Sequence, residues 1–316
     1  MNIVLLGATG FVGSALIRRL RTQTEHSVTA FVHRKPLTAA APHIRCVAGS
    51  LTSPPTDLLP EQPHVIVHCA SKQIDHDGSG FACNPLGVEA LTRQCNAYTR
   101  GILFASSFSV YGEGEQADID EQAPRRPETE LARSRAACED VLAAYAAHCS
   151  IPVLALRTRY VFGTGDRYFL PGLLRLLQAR LGVGNGSQRF TVIDVDDYAK
   201  VLLGLVDAIG QGRIAGGFTP LNVGYAEPLS FARLADTLRG ALALPPPRLS
   251  LPAQPALLGL LDRLPAARIR QFSHRLRLIG LNHYGSIKRL NALLDTSVLG
   301  HDPAARLHTA AQRLAL

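Results

Sequence analysis

GATGFVG occupies residues 7–13, and the rest of the chain is placed by what this run does. Immediately before it, Ile3 to Leu6 form a short unbroken apolar run, the pattern of a strand buried on both faces of a parallel sheet. Immediately after it comes SALIRRLRT, residues 14–22, with apolar side chains at helical spacing. Gly7, Gly10 and Gly13 permit a tight turn, let backbone N–H groups approach a pyrophosphate and let the helix lie against the sheet. The helix N-terminus adds partial positive charge. Strand, glycine turn and helix in this order predict a dinucleotide site. The spacing is GxxGxxG, not the more familiar GxGxxG.

The next strand, SVTAFVHRKP (27–36), ends in His33-Arg34-Lys35 where an acidic residue would accept hydrogen bonds from the ribose 2′-hydroxyl of NAD. A guanidinium there can pair with a 2′-phosphate that a carboxylate would repel, which favours NADP(H) over NAD(H). HIRCVAGSL (43–51), HVIVHCAS (64–71) and GILFASS (101–107) read as further strands, and NPLGVEALTRQCNAY (84–98) reads as a helix. The alternation predicts an α/β fold, a Rossmann-type doubly wound parallel sheet with right-handed crossovers. Residues 1–164 are expected to form the NADP(H)-binding domain, with its sheet completed by segments within about 190–225. Residues 165–316 are expected to form mainly a smaller, largely helical C-terminal substrate lobe, with a composition shift at LPPPRLSLPAQP (244–255).

Composition narrows the function. A chain of 316 residues with 47% apolar and 18% charged residues is an ordinary globule. Its net charge of +8, from 33 Lys and Arg against 25 Asp and Glu, is spread through apolar patterns without forming a basic arm. That weakens a nucleic-acid reading; the balance suits an anionic small ligand about as well, and an Arg-rich solvated surface is the favoured reading. The six cysteines show neither CxxC spacing nor a metal-ligand pattern and read as small buried hydrophobes in a reducing compartment, with no metal expected. No apolar run approaches the ~20 residues of a membrane span, and MNIVLLGATG enters a strand at once, so a cytoplasmic location is expected. The apolar segment QPALLGLLDRLP (254–265) is expected to cover a substrate pocket.

Taken together, GATGFVG, HVIVHCAS, Asn84 in CNPLGVEAL, SSFSVYG (106–112), LRTRYVFGTGD (156–166), VGNGSQRFTVIDVDDYAKVLLGLV (183–206) and LNVGYAEPLSFARLADTL (221–238) resemble the extended short-chain dehydrogenases/reductases. The resemblance lies near the NAD-dependent epimerase/dehydratases and 3β-hydroxysteroid dehydrogenases, and it covers nearly the whole length. It implies cofactor contacts from Gly7, Thr9, Gly10, Phe11, Val12, Gly13, His33, Arg34, Ser50, Leu51, Cys69, Ala70 and Ser71. In that family a Ser or Thr, a Tyr and a Lys carry the chemistry: the phenol exchanges the proton, lysine lowers its pKa and holds the nicotinamide ribose, and serine binds the substrate oxygen. Ser107, four residues before Tyr111, takes the serine's place.

The YxxxK helix should begin 24 residues beyond that serine, which lands on Leu131-Ala-Arg-Ser-Arg135. Leucine cannot exchange a proton. Arg135 can hydrogen-bond ribose hydroxyls but, with a pKa above ~12, relays no proton near neutrality. Three functions compete. The first is an NADPH-dependent ketoreductase whose proton comes from water, Ser107 or a displaced side chain. The second is a non-catalytic NADP(H)-binding pseudoenzyme acting as sensor or assembly factor. The third, sugar-nucleotide epimerisation or dehydration, fits worst because it begins by oxidising a hydroxyl and needs a base.

Further candidates ring this position. Tyr111 is a packing or substrate-contact residue, Tyr160 either faces the nicotinamide or packs in the core, and His76 in SKQIDHDGSG is a possible shuttle or a solvated loop residue. Arg189 lies in the region where sugar-nucleotide members of the family grip a diphosphate. The Leu, Ala and Arg of the C-terminal lobe, with Phe272, Tyr284 and Ile287, suggest a mostly apolar cleft for a polycyclic, polyketide-like or steroid-like ketone. Family members often form homodimers through two helices, one of them the helix carrying residues 131–145.

Overall fold

A computed structural model of the chain describes residues 1–38, 41–294, 299 and 301–315. In chain order the first half gives β1 (Asn2–Leu6), α1 (Phe11–Leu20), β2 (Ser27–Val32), β3 (Ile44–Ala48), β4 (His64–His68), α2 (Cys83–Gln94) and β5 (Thr99–Ser107). Then come β6 (Gln116–Ile119), α3 (Glu130–His148), β7 (Pro152–Thr158), β8 (Tyr160–Phe162), α4 (Phe169–Gln178) and β9 (Leu181–Val183). These are followed by β10 (Arg189–Phe190), β11 (Val192–Asp194), α5 (Val195–Gly210), β12 (Gly217–Val223), β13 (Leu229–Ser230) and α6 (Phe231–Leu242). The chain closes with β14 (Leu249–Leu251), α7 (Pro255–Asp262), α8 (Ala267–Gly280), β15 (His283–Gly285), α9 (Lys288–Leu293) and α10 (Pro303–Ala315).

Seven strands pair in parallel in the order β12-β7-β5-β4-β1-β2-β3. The apolar run of β1 is buried on both faces, as its unbroken hydrophobicity requires. Its alternate residues enter two cores. Ile3 and Leu5 join Leu16 and Leu20 of α1 and Leu202 and Leu205 of α5, while Val4 and Leu6 join Val88 and Leu91 of α2 and Cys138 and Leu142 of α3. Helices on both faces make the sheet doubly wound. Chain order reverses at β1, with β2 on one side and β4 on the other, and ligands of such sheets bind beyond the carboxyl ends of the strands at that switch point.

The C-terminal part is helical, but it also carries short strands. A four-stranded sheet runs β13-β10-β15-β6, and β8 pairs with β11 and β9 with β14. Strand β6 comes from well before this part of the chain, ahead of the Pro-rich loop, and pairs in parallel with β15 through Gln116 and His283. Four-residue and three-residue strands are too short to show a two-residue period, so sequence pattern alone does not reveal them. Helices α7 and α8 pack on each other, with Leu258 buried and Leu260 on the same helix exposed.

Candidate active site

The glycine turn is closed by contacts that leave no room for side chains. Gly7 has φ +82, and a Cβ there would stand 2.7 Å from the Ala70 nitrogen. A Cβ on Gly13 would stand 2.1 Å from the Gly7 carbonyl oxygen. The loops after β1 and β4 are thereby pressed together, helped by the Cys69 N–H donating to the Leu6 carbonyl at 2.9 Å. Gly10 caps α1 with no side-chain hydrogen bond, and no acidic residue lies in the first turn. The leading amides are therefore left for an anion, with the helix dipole behind them. Thr9, Phe11 and Val12 line this turn half-buried, and the ring of Phe11 lies under Gly165 of the loop that follows β8.

At the end of β2, His33, Arg34 and Lys35 are all exposed. Ser50 and Leu51 follow β3, with Leu51 packed where a Cβ on Gly87 would come to 3.0 Å. Burial pushes the Cys69 thiol up to about 12, which makes it an inert apolar neighbour. These residues fit a nicotinamide dinucleotide: the glycines let the turn close tightly on the loop after β4, and the free amides at the start of α1 suit a diphosphate. Among the described residues no group of three or more His, Cys, Asp and Glu is arranged to hold a metal.

Next to this cradle, β5 ends at Ser107. Its hydroxyl accepts from the Ser109 N–H at 3.1 Å and so caps a single 3-10 turn, Phe108–Tyr111. Helix α3 starts behind a Thr129 cap, whose hydroxyl accepts from the Ala132 N–H at 3.2 Å. That start presents Leu131 and, one turn on, Arg135. The Arg135 guanidinium donates to the Ser109 hydroxyl at 3.3 Å and to Gln73 Oε1 at 2.6 Å, and Gln73 in turn donates to the Ser71 hydroxyl at 2.7 Å. This chain of polar groups bridges the ends of β4 and β5. Burial lowers the Arg135 pKa to about 10, which leaves it charged at neutral pH. Asn84 locks the surroundings: its Oδ1 accepts from the Lys72 N–H at 2.7 Å, and its Nδ2 donates to the Lys72 carbonyl at 3.2 Å and to the Ser134 hydroxyl at 3.1 Å.

Beneath Ser107 runs a buried polar network that sequence reading missed. Arg157 of β7 donates through Nε to Glu139 Oε1 at 3.0 Å and through Nη2 to Glu139 Oε2 at 2.6 Å. The Ser106 hydroxyl also donates to Glu139, at 2.5 Å, and Arg157 Nη1 donates to the Tyr111 hydroxyl at 2.8 Å. Tyr111 spends its own proton on Asn222 Oδ1 at 2.8 Å, and burial pushes its pKa up to about 12. A substrate-contact role for Tyr111 therefore gives way to a framework role, since its hydroxyl is occupied on both sides. The one clue was a charged residue in the otherwise apolar strand PVLALRT.

The remaining candidates are scattered. Tyr160 stacks on Phe169 with ring centroids 4.3 Å apart and donates its proton to the Leu278 carbonyl, so its hydroxyl serves packing of the lobe and does not face a nicotinamide. His76 is exposed on the loop that Lys72 ties down through Asp75 and Asp77. Arg189 is exposed on β10, and its backbone N–H donates to Asn282 Oδ1 at 2.7 Å.

Comparison with known proteins bears on the family and the fold. The family model of the NAD dependent epimerase/dehydratase family matches residues 3–224. A 2-alkyl-3-oxoalkanoate reductase of Stenotrophomonas maltophilia is 28% identical over 271 residues, 78% of this chain and 77% of that protein. A decarboxylating sterol-4-alpha-carboxylate 3-dehydrogenase of Schizosaccharomyces pombe is 28% identical over 229 residues, 64% of each chain. Among solved structures, a UDP-galactose 4-epimerase superposes with a TM-score of 0.72 at 19% identity, covering 100% of this chain and 99% of that one, a likeness of fold.

Proposed function

The chain belongs to the NAD dependent epimerase/dehydratase family, and from there we propose that it is an NADPH-dependent carbonyl reductase acting on a largely apolar ketone. The observation that carries this is the composition of the bridge at the ends of β4 and β5. Arg135 and Ser107 are hydrogen-bond donors to an incoming oxygen, and Leu131 supplies nothing that could take a proton. Donors without a base suit the direction in which a carbonyl gains negative charge. They do not suit the oxidation of a hydroxyl with which epimerisation and dehydration begin. The names of two relatives, a reductase and a dehydrogenase, also favour an oxidoreductase.

When bound, the coenzyme supplies the hydride. The amides of the α1 start hold its diphosphate, and Arg34 pairs with its 2′-phosphate. The Ser107 hydroxyl and the Arg135 guanidinium stabilise the oxygen as its charge develops, with Gln73 and Ser109 keeping the guanidinium aimed. Water delivers the proton to that oxygen by way of the Ser107 hydroxyl. The lost general acid costs roughly 10²–10⁴ in rate, which positioning and the fixed positive charge partly offset.

The test is to follow loss of the nicotinamide absorbance when the protein and NADPH meet a panel of polycyclic, steroid-like and long-chain ketones. Ketone-dependent oxidation of NADPH is expected. A protein that binds NADPH yet oxidises none of it with any of them is instead the sensor or assembly factor that Leu131 also permits.

A further inference from the structure

Helices α7 and α8 meet along a buried seam, where the Ser273 hydroxyl donates to the Leu258 carbonyl at 3.2 Å and Leu258 and Leu276 are covered. Away from that seam, Leu260 and Leu264 stand 58% and 38% exposed. They lie four residues apart on α7 and the turn that continues it, where the Leu264 N–H still donates to the Leu261 carbonyl at 3.2 Å. Phe272 on α8 is 48% exposed. Of the eight large hydrophobic side chains that stand exposed among the described residues, three therefore fall within residues 260–272. Four exposed arginines accompany them. Arg268 and Arg275 share a flank of α8 with Phe272, four residues before it and three after it. Arg263 and Arg270 belong to the turn, with Arg270 Nη1 donating to the Leu264 and Pro265 carbonyls at 3.0 and 2.8 Å. The one acid of the hairpin, Asp262, is paired with Arg277, and among the described residues none of the four arginines enters an ion pair.

Apolar side chains set among unneutralised guanidinium groups match a partner that is apolar within and anionic at its face. A bilayer with anionic headgroups has that profile: Leu and Phe enter the acyl boundary, while arginine stems lie along it and leave the charge at the phosphates. A second copy of the chain would bring four positive charges against four. A nucleic acid would answer the charge and leave Leu260, Leu264 and Phe272 in water. No described helix is long and apolar enough to cross a membrane, so the hairpin would lie in the plane of the interface. On the side of α8 away from Phe272, His274 Nδ1 lies 2.8 Å from Glu113 Oε2, and Glu113 follows the turn that Ser107 caps. The hairpin is thus fastened to the rim of the candidate site.

We propose that the α7–α8 hairpin is a membrane-docking element: Leu260, Leu264 and Phe272 enter the surface of an anionic bilayer, and the four arginines bind its lipid phosphates. The docking stands on the hairpin alone. Its use, taking an apolar ketone from the bilayer to Ser107, rests on the carbonyl-reductase reading.

The test is flotation of the full chain with vesicles of phosphatidylcholine alone and of an equal mixture with phosphatidylglycerol. At least about tenfold tighter binding to the mixture is expected, since each arginine near an anionic surface contributes about fivefold. Arg268→Gln with Arg275→Gln should weaken that binding by about 25-fold. Arg100→Gln with Arg213→Gln removes the same charge from exposed positions near the amino ends of β5 and β12, at the edge of the sheet opposite Ser107, and should change it by less than about threefold. Leu264→Ser with Phe272→Ser should weaken it by at least about tenfold at an unchanged Tm. Equal losses from the two arginine pairs, or binding indifferent to the Leu264 and Phe272 pair, overturn the proposal and leave only the attraction of a basic protein for an anionic surface. Absence of flotation also overturns it. The face then belongs to a second copy if Leu264→Ser with Phe272→Ser splits a dimer in sedimentation, and to nucleic acid if Arg268→Gln with Arg275→Gln abolishes a gel shift of duplex DNA. Binding is read without turnover, so flotation with no NADPH oxidation by any ketone sinks the reductase reading alone. NADPH oxidation without flotation sinks only the docking.

Discussion

Glu139 and Arg157 face each other edge to edge, both oxygens of one on two nitrogens of the other, with side-chain exposures of 0% and 3%. The pair joins α3 to β7 directly beneath the strand end that carries Ser107, so it fixes how the start of α3 meets the sheet. Glu139→Ala leaves Arg157 charged and unpaired, and is expected to cost about 3–5 kcal/mol in urea denaturation. A loss below about 1 kcal/mol would mean that the pair is not buried as described.

Gly13 packs against the Gly7 carbonyl so closely that a methyl group there would stand 2.1 Å from that oxygen. Gly13→Ala must therefore push α1 off the turn. Affinity for NADPH, read by nicotinamide fluorescence, is expected to fall by more than about tenfold as the α1 amides lose their aim.

Arg34 is expected to make the chain bind NADPH more tightly than NADH. Arg34→Asp should weaken NADPH by roughly 10–100-fold, the worth of a charge-assisted hydrogen bond plus the new repulsion, and leave NADH nearly unchanged. Equal affinities of the wild-type chain for the two coenzymes would remove the basis for assigning Arg34 to the 2′-phosphate.

Arg135→Met removes a guanidinium donor while keeping a long apolar stem. A fall in kcat of about 10²–10³ is expected, as for loss of an oxyanion donor. Because burial holds Arg135 at about 10, the wild-type rate should show no titration of this group between pH 6 and 9. With the proton delivered by way of Ser107, as proposed, Leu131→Tyr should not raise activity.

His68, at the end of β4, is 3% exposed with both ring nitrogens unpartnered among the described residues, and burial pushes its pKa down to about 4. The unfolded chain therefore binds this proton more readily than the folded one. Stability is full above about pH 6.5 and falls as pH drops toward 4, by about 2 kcal/mol at pH 5 from this group. His283, pushed down to about 2, adds loss of the same sign. His68→Phe keeps an aromatic ring against Phe104 and should flatten the dependence of the urea midpoint between pH 7 and 5. An unchanged slope would show that His68 is not the group responsible.

Much of the fold was legible because long elements repeat one signal many times. The unbroken run in β1, the glycines at 7, 10 and 13, and the spacing of α1 all point to one arrangement, and the sheet order follows from it. Leu131 and Arg135 could be named from residue types alone, as the positions where the resemblance expects a tyrosine and a lysine. What escaped were features created by residues far apart. Gln116 and His283 pair across more than half the chain, and no local pattern announces that contact. Tyr111 looked available until Arg157 and Asn222 claimed its hydroxyl from β7 and β12.

The junction of β6 with β15 makes the chain's tail an ingredient of its centre. Gly285 has no space for a side chain, since a Cβ there would stand 2.4 Å from the Ile119 carbonyl, and Asn222 reaches both Ile119 and Ser286 from the sheet. Cutting away the final thirty-odd residues would unfasten the rim that precedes α3 as well as shorten the lobe. A chain ending before β15 should thus keep its glycine turn yet lose the contact that Gly285 makes with Ile119 and Phe108 beside the end of β5.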